Sequence, residues 1–463
     1  MSPQVKQAQI NQQEPIDNPQ QLVDFILRGA RPRDEWGIGI ETEKLVVDRL
    51  TGEAAPYERI RELLFRLDGS GGWKGIFEQE HLIGLQGRRS SVTLEPGGQL
   101  ELSGKFCCDI HCSWRDLSRY RKQILIVGKE LDLLFLGLGT HPFTSLEQIS
   151  WLPKGRYRIM AQYMLKTGDM GQRMMKQTAG TQINLDFSDA VDCARKLRLS
   201  QRLSAVSYAL FANSPFLEGR PSGFLSTRGE IWSRTDPDRC GLIEELLSPA
   251  AGLGDFIEYA LDVPLYFIER DGHFIDMTSS RFTFRQFLDS GWSGGRATLK
   301  DWNLHLSTLF PEVRLRPQIE VRSADSLPPR FTASVAALYK GLLYTEQAMS
   351  GAEALLMQMD RKEFVELYRR SWRDGLKTVV SGGTLGDIAA DLLRLARESL
   401  QQQFVQAYSG ADESHFLDPL QELVTTGETL AERLLKHWPQ SRQEQLKLLV
   451  EHCGYSAGSS HSP

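Results

Sequence analysis

Hydrophobic and polar positions alternate most regularly in two stretches. From Trp36 to Val47 the order Trp-Gly-Ile-Gly-Ile-Glu-Thr-Glu-Lys-Leu-Val-Val puts Ile38, Ile40, Thr42 and Lys44 on one face of a strand and Gly37, Gly39, Glu41 and Glu43 on the other. From Val92 to Ser103, strand-like runs at Val92 to Leu94 and Gln99 to Ser103 flank Pro96-Gly97-Gly98, whose glycines suit a turn with positive φ. This predicts a hairpin with Glu101 on its polar face and Glu95 at the turn. Thr181 to Phe187 alternates in the same way, and Gln318 to Arg322 predicts a strand that presents Glu320 and Arg322 on one face.

Around these strands the pattern predicts helices at Pro19 to Arg28, Pro56 to Leu67, Trp114 to Leu134, from Pro153 onward, and at Ala190 to Leu210. Ile76 to Leu85, Leu133 to Pro142 with its polar tip at His141, Tyr259 to Ile268 and His273 to Met277 read as further sheet segments, and Phe211 to Gly223 as a long loop. After Pro328-Pro329 the pattern turns helical: Thr332 to Ser350, Arg361 to Arg373, Leu385 to Phe404, Leu417 to Thr425 and Leu430 to Glu451. The organisation that follows is an N-terminal segment over 1–30, disordered as far as residue 18, an α+β catalytic body over 31–330, a helical region over 331–453 packed on it, and a disordered tail over 454–463.

A chain of 463 residues can bury a large core, and its net charge of −5 with no long basic stretch argues against a nucleic-acid partner. Lys129, Glu130 and Asp132 interrupt the best apolar run, so no membrane span is expected. The polar, Gln-rich start lacks the basic and apolar parts of a signal peptide, and the expectation is a soluble cytoplasmic protein. Cys107, Cys108, His111 and Cys112 crowd together, yet no second Cys or His pair follows at zinc spacing. The loop Gly69-Ser-Gly-Gly72 lacks the Gly-Lys-Ser/Thr ending of a phosphate-binding loop.

The chemistry rests on the acids. A Glu-x-Glu strand suits a solvated face, but glycines beside Glu41 and Glu43 clear space there. Unit charges about 4 Å apart repel by about 4 kcal/mol at an effective dielectric of about 20, so gathering these glutamates needs cations, and oxygen ligands favour Mg²⁺ or Mn²⁺. Lys154 and Arg156 at the start of a helix offer charges for anions, and Glu320 with Arg322 suits either a metal and a transferring phosphate or a surface ion pair. His141 reads as a loop residue or as a metal or phosphate ligand.

Six segments in order, Leu94-Glu-Pro-Gly-Gly-Gln-Leu-Glu-Leu-Ser-Gly104, Pro153-Lys-Gly-Arg-Tyr157, Asn184-Leu-Asp-Phe187, Ala209-Leu-Phe-Ala-Asn-Ser-Pro-Phe216, Tyr259-Ala-Leu-Asp-Val-Pro264 and Phe310-Pro-Glu-Val-Arg314, resemble the plant and proteobacterial type of glutamate–cysteine ligase. The resemblance runs from about Trp36 to Trp438. It implies an α+β, glutamine-synthetase-like fold with a curved, mainly antiparallel sheet backed by helices and a helical C-terminal part. It also implies ATP-dependent formation of γ-glutamylcysteine from L-glutamate and L-cysteine through a γ-glutamyl phosphate, the first step of glutathione biosynthesis, with Mg²⁺ and with Mn²⁺ as a substitute. By the same resemblance Glu41, Glu43, Glu95, Glu101 and Glu320 are metal-binding acids, and Arg156, Arg228, Lys154 and Tyr157 bind substrate, the two arginines holding glutamate. Arg322 and Glu320 serve the phosphoryl transfer, and Asn184 and His141 the nucleotide. Such an enzyme works as a monomer or homodimer. A ligase for another amine and a non-catalytic homologue that binds nucleotide or metal are the alternatives. Three departures stand out: Gln177-Thr-Ala-Gly-Thr-Gln-Ile-Asn184 where the plant-type pattern has Arg-Thr-Cys-Thr-Val-Gln-Val-Asn, His141 in place of Gln, and Val321-Arg-Ser-Ala-Asp325 for Met-Arg-Gly-Ala-Asp.

Overall fold

Strand β1 (Ile38–Asp48) is the element on which the others assemble. The computed structural model of the protein describes residues 14–403 and 411–455. In it, β1 joins β2 (Lys74–Glu78), β3 (His81–Gln86), β4 (Ser91–Leu94), β5 (Leu100–Ser103), β6 (Leu133–Leu136), β7 (Gly180–Leu185), β8 (Val313–Leu315) and β9 (Ile319–Asp325). The sheet runs β8-β9-β7-β1-β5-β4-β3-β2, with β6 also paired to β1. Its pairings are antiparallel, and bulges in β9 and between β2 and β3 bend it.

The predicted two-faced character of β1 holds. Ile38, Ile40, Thr42 and Lys44 are buried beneath the sheet, where helices Ile110–Glu130, Ala190–Leu210 and Pro329–Leu343 pack. Lys44 is satisfied there, donating from Nζ to Thr42 Oγ1 (2.7 Å), Ser326 Oγ (2.9 Å) and the Leu327 carbonyl (3.2 Å). The hairpin also forms: Glu95 N–H donates to the Gln99 carbonyl (2.9 Å), and Gly98 takes φ +82°, a conformation that favours glycine. The helices that follow β9 are tied to one another by a buried Lys340–Glu413 pair at 2.5 Å, and to helix Ile110–Glu130 by Glu413, which accepts from Ile110 N–H (2.6 Å).

Several element boundaries differ from expectation for local reasons. Ile76 to Leu85 is not one strand but the β2–β3 hairpin, reversed at Gln79 with φ 55°. Tyr259 to Asp262 belongs to helix Leu253–Asp262, where Leu253, Phe256, Ile257, Ala260 and Leu261 repeat at helical spacing; the strand begins only at Phe267, beyond Pro264. The helix expected from Trp114 starts at Ile110, capped by Asp109 accepting from Cys112 N–H (2.6 Å), and ends at Glu130; the crowded cysteines sit at its start as free thiols. Thr332 to Ser350 divides into Pro329–Leu343 and Glu346–Leu356, and Leu430 to Glu451 into Leu430–Lys436 and Arg442–Cys453 around Pro439. The loop from Phe211 contains a small hairpin pairing Phe216 with Pro221. Most of the expected terminal disorder, and Phe404, lie outside the described residues; within them Ile16 N–H donates to the Ala297 carbonyl (2.9 Å) and Tyr455 is buried.

Candidate active site

Register alone aligns the acids. Glu43 on β1 stands opposite Glu101 on β5, which stands opposite Thr93 on β4. Glu41 stands between Gln182 on β7 and Ser103 on β5, and Asn184 on β7 between Gly39 and Glu320. Paired residues share a face of a sheet, so Glu41, Glu43, Glu101, Gln182, Asn184 and Glu320 project from the side opposite the core. The room expected beside Gly37 and Gly39 is taken by the Phe106 ring, against which a Cβ at either position would press.

The acids are not left bare. Glu43 accepts from Gly180 N–H (2.6 Å) and from Gln182 Nε2 (3.2 Å), Glu41 from Asn184 Nδ2 (2.9 Å), and Glu101 from Thr93 Oγ1 (2.8 Å). Each keeps some accessible surface, yet is surrounded closely enough for its charge to be disfavoured. Burial, then the charge of Glu95, pushes Glu43 up to about 7. Burial and Glu320 raise Glu41, and burial with Glu95, Glu41 and Glu43 raises Glu101 well above the usual carboxylate range. Glu320 is the opposite case: burial works against its ionisation, but Arg314, Arg322 and Arg316 outweigh that and hold it at about 2. Arg314 donates to both its oxygens, from Nε at 2.9 Å and Nη2 at 2.8 Å, and Arg322 Nη1 donates to Glu320 and to Gln182.

A recess of about 100 Å³ opens beside this face, lined by Glu43, Glu95, Arg156, Tyr157, Arg228 and Arg322 together with Met160, Met174, Met175, Trp232 and Phe310. Arg228 lies in the first turn of helix Thr227–Ser233, whose cap, Ser226, is held by Asp325 at 2.8 Å. Its Nη2 donates to the Arg322 carbonyl (3.0 Å), while Nε and Nη1 are buried without an acceptor. An unpartnered guanidinium edge in a polar recess is a place for a ligand carboxylate or phosphate. Arg156 stacks over Tyr157 with Cζ 5.2 Å from the ring centre.

Of the residues singled out in the sequence, Glu43, Glu95, Arg156, Tyr157, Arg228 and Arg322 meet in the recess, and Glu41, Glu101, Asn184 and Glu320 lie along the sheet face next to it. Lys154 is turned inward, donating to the Leu94 carbonyl (2.7 Å), to which the Tyr157 hydroxyl also donates (3.2 Å); the two side chains brace the hairpin that carries Glu95. His141 stands apart. It is buried, accepts at Nδ1 from Thr144 N–H (3.4 Å), and is held neutral by burial and Arg442, which push it down to about 3. Gln182 and Arg314 were missed as individual residues, although the polar face of Thr181 to Phe187 pointed to the first. Trp232, four residues after Arg228 on one helix face, could have been paired with it by spacing; their separation is 5.6 Å.

Among the described residues no three acidic, His or Cys side chains close into a ready-made metal shell. The donor set still suits a hard divalent cation: it is all oxygen, its acids raise one another, and Mg²⁺ commonly uses one or two carboxylates, completing its shell with water and substrate phosphate.

Residues 37–452 match the family Glutamate-cysteine ligase family 2(GCS2). The chain is 38% identical over 429 residues to the chloroplastic glutamate–cysteine ligase of Medicago truncatula, covering 91% of this chain and 83% of that one. It is likewise 38% identical over 427 residues to the chloroplastic enzyme of Arabidopsis thaliana, covering 91% and 80%. A crystal structure of glutamate–cysteine ligase from Francisella tularensis in complex with AMP superposes with a TM-score of 0.56 at 12% identity, over 92% of this chain and 89% of that one, and shares the fold. The α+β, glutamine-synthetase-like architecture expected from the sequence is therefore the one observed. The cytoplasmic expectation is overturned by the relatives, which are chloroplastic proteins. Its physical basis was too narrow, because a polar, weakly charged start excludes only an apolar secretory leader and says nothing about plastids. No helix among the described residues is long and apolar enough to cross a membrane.

Proposed function

The chain belongs to glutamate–cysteine ligase family 2, enzymes of the first step of glutathione synthesis, and on that premise we propose how its residues join L-glutamate to L-cysteine with ATP. The observation that carries the assignment is the meeting of Glu43 and Glu95 with Arg228 and Arg322 in one small recess, with Glu41 and Glu101 on the sheet face next to it.

A carboxylate is a poor electrophile, so its γ-oxygen first attacks the γ-phosphorus of ATP and ADP departs with the bonding electron pair. The cysteine amine then attacks the acyl carbon of γ-glutamyl phosphate, inorganic phosphate leaves, and the amine proton passes to solvent. Arg228, whose Nε and Nη1 lack a protein acceptor, binds a carboxylate of glutamate, and Arg156 beside Glu95 supplies a second cation at the recess. Arg322 is locked by Glu320 and Gln182 in a fixed direction, so its charge meets the transferring phosphoryl group without reorganising. Glu41, Glu43, Glu95 and Glu101 would hold magnesium, which when bound supplies positive charge shared by the phosphate oxygens and these acids. Glu320, whose oxygens are already taken by Arg314 and Arg322, serves here as the anchor of those arginines. The methionine and aromatic side of the recess suits the small apolar thiol arm of cysteine.

The test is isotopic. With glutamate carrying ¹⁸O in its γ-carboxylate, one labelled oxygen should appear in inorganic phosphate for each dipeptide formed. Unlabelled phosphate would rule out the acyl phosphate.

A further inference from the structure

Strand β7 begins at Gly180, and the guanidinium of Arg228 lies flat against it. A Cβ built at Gly180 would stand 2.7 Å from Arg228 Nη2, 3.0 Å from Cζ and 3.1 Å from Nε. Ordinary carbon contacts begin at about 3.5 Å, so even a methyl group there would move the guanidinium by several tenths of an ångström. That group is held at one end. Nη2 is committed to the Arg322 carbonyl (3.0 Å), and the helix bearing Arg228 is capped through Ser226 by Asp325, itself the register partner of Gly180. Meanwhile the Gly180 N–H donates to Glu43 (2.6 Å), a bond any residue but proline would keep.

We propose that Gly180 is a positioning residue: by lacking a side chain it sets the posture in which Arg228 receives the donor carboxylate. Gly180 touches neither substrate nor phosphate in this account; it positions Arg228, and the inference rests on the reading of Arg228 as a glutamate ligand.

A guanidinium displaced by several tenths of an ångström weakens its charge-assisted hydrogen bonds to the carboxylate, and losing one such bond outright weakens binding by at most about 100-fold. Gly180→Ala is therefore expected to raise the glutamate KM by about 10- to 100-fold while kcat and the ATP KM change by less than about 3-fold. The decisive comparison is a double-mutant cycle with Arg228→Lys, whose slimmer head no longer meets the new methyl group. In that background Gly180→Ala should alter the glutamate KM by less than about 2-fold. Equal losses in both backgrounds, or an unchanged glutamate KM in Gly180→Ala alone, would overturn the role of Gly180 and leave that of Arg228 standing. An unchanged glutamate KM in Arg228→Lys alone would instead overturn the reading of Arg228, and this inference with it. If Gly180→Ala does not fold, Gly180→Ala/Arg228→Lys should, because the clashing group has gone; failure of the double variant to fold would also overturn the proposal.

Discussion

Replacing Glu320 by Gln keeps the shape of the side chain and removes the charge on which two buried arginines depend. Arg314 and Arg322 are 8% and 9% exposed, and the Glu320 side chain is 4% exposed, so solvent can do little to compensate. Two routes give the size of the effect. A carboxyl held at about 2 rather than its ordinary 4.5 corresponds to about 3 kcal/mol, at about 1.4 kcal/mol per pH unit. Breaking a buried ion pair by removing one partner costs about 3–5 kcal/mol by comparison with other proteins. The expected loss is thus about 3 kcal/mol at neutral pH, with a kcat lower by about 100-fold because Arg322 loses its anchor. The pH dependence has a definite sign. The folded-state pKa lies below the unfolded one, so the stabilisation is complete above about 4.5 and disappears as pH falls through about 2. Urea denaturation of wild type and Glu320→Gln at pH 7 and again near pH 3 measures both. A difference below about 1 kcal/mol at pH 7, or one that does not shrink in acid, would refute the anchoring role.

Three further outcomes follow from the same geometry. Mg²⁺ should raise the melting temperature of the wild type by more than that of Glu101→Gln, since the cation relieves acids crowded on one face; equal increments would remove Glu101 from the metal-binding set. Tyr157→Phe deletes the hydroxyl that donates to the Leu94 carbonyl (3.2 Å) and should cost about 1 kcal/mol with the glutamate KM within about 2-fold, whereas a large KM change at unchanged stability would return Tyr157 to the substrate. His141→Gln should leave the ATP KM unchanged at pH 7, because His141 is buried, neutral and away from the recess; steady-state kinetics showing a weakened ATP KM would restore the nucleotide role.

The acid face was legible because strand alternation is local: once Glu41, Glu43 and Glu101 occupy one phase of two strands, pairing needs only the correct register to bring them together. Glu320 and Arg322 were placed on one face by the same rule. The partners of these groups were not legible. Arg314 reaches Glu320 across the β8–β9 pairing, and Gln182 meets Arg322 from 140 residues away in sequence. Lys154 looked like an anion ligand by charge, but its direction is set by a carbonyl on the hairpin, which no spacing in its own segment announces. Tyr259 was misread for a related reason: a short apolar run suits a strand or a buried helix until Pro264 and the turn after it are placed in three dimensions. The glycines failed in one place and succeeded in another. Gly37 and Gly39 accommodate Phe106 rather than leave open space beside the acids, whereas Gly98 makes the turn that its sequence required.

The central claim, that this recess makes γ-glutamylcysteine, is tested most directly by product analysis. Purified protein is incubated with ATP, Mg²⁺, glutamate and equal concentrations of cysteine, alanine, serine and 2-aminobutyrate, and the adducts are identified by mass spectrometry while ADP is counted. If this claim holds, γ-glutamylcysteine predominates and ADP appears one for one with dipeptide, only when glutamate is present. A dominant adduct from a non-thiol amine, or ADP release that does not depend on glutamate, would contradict it.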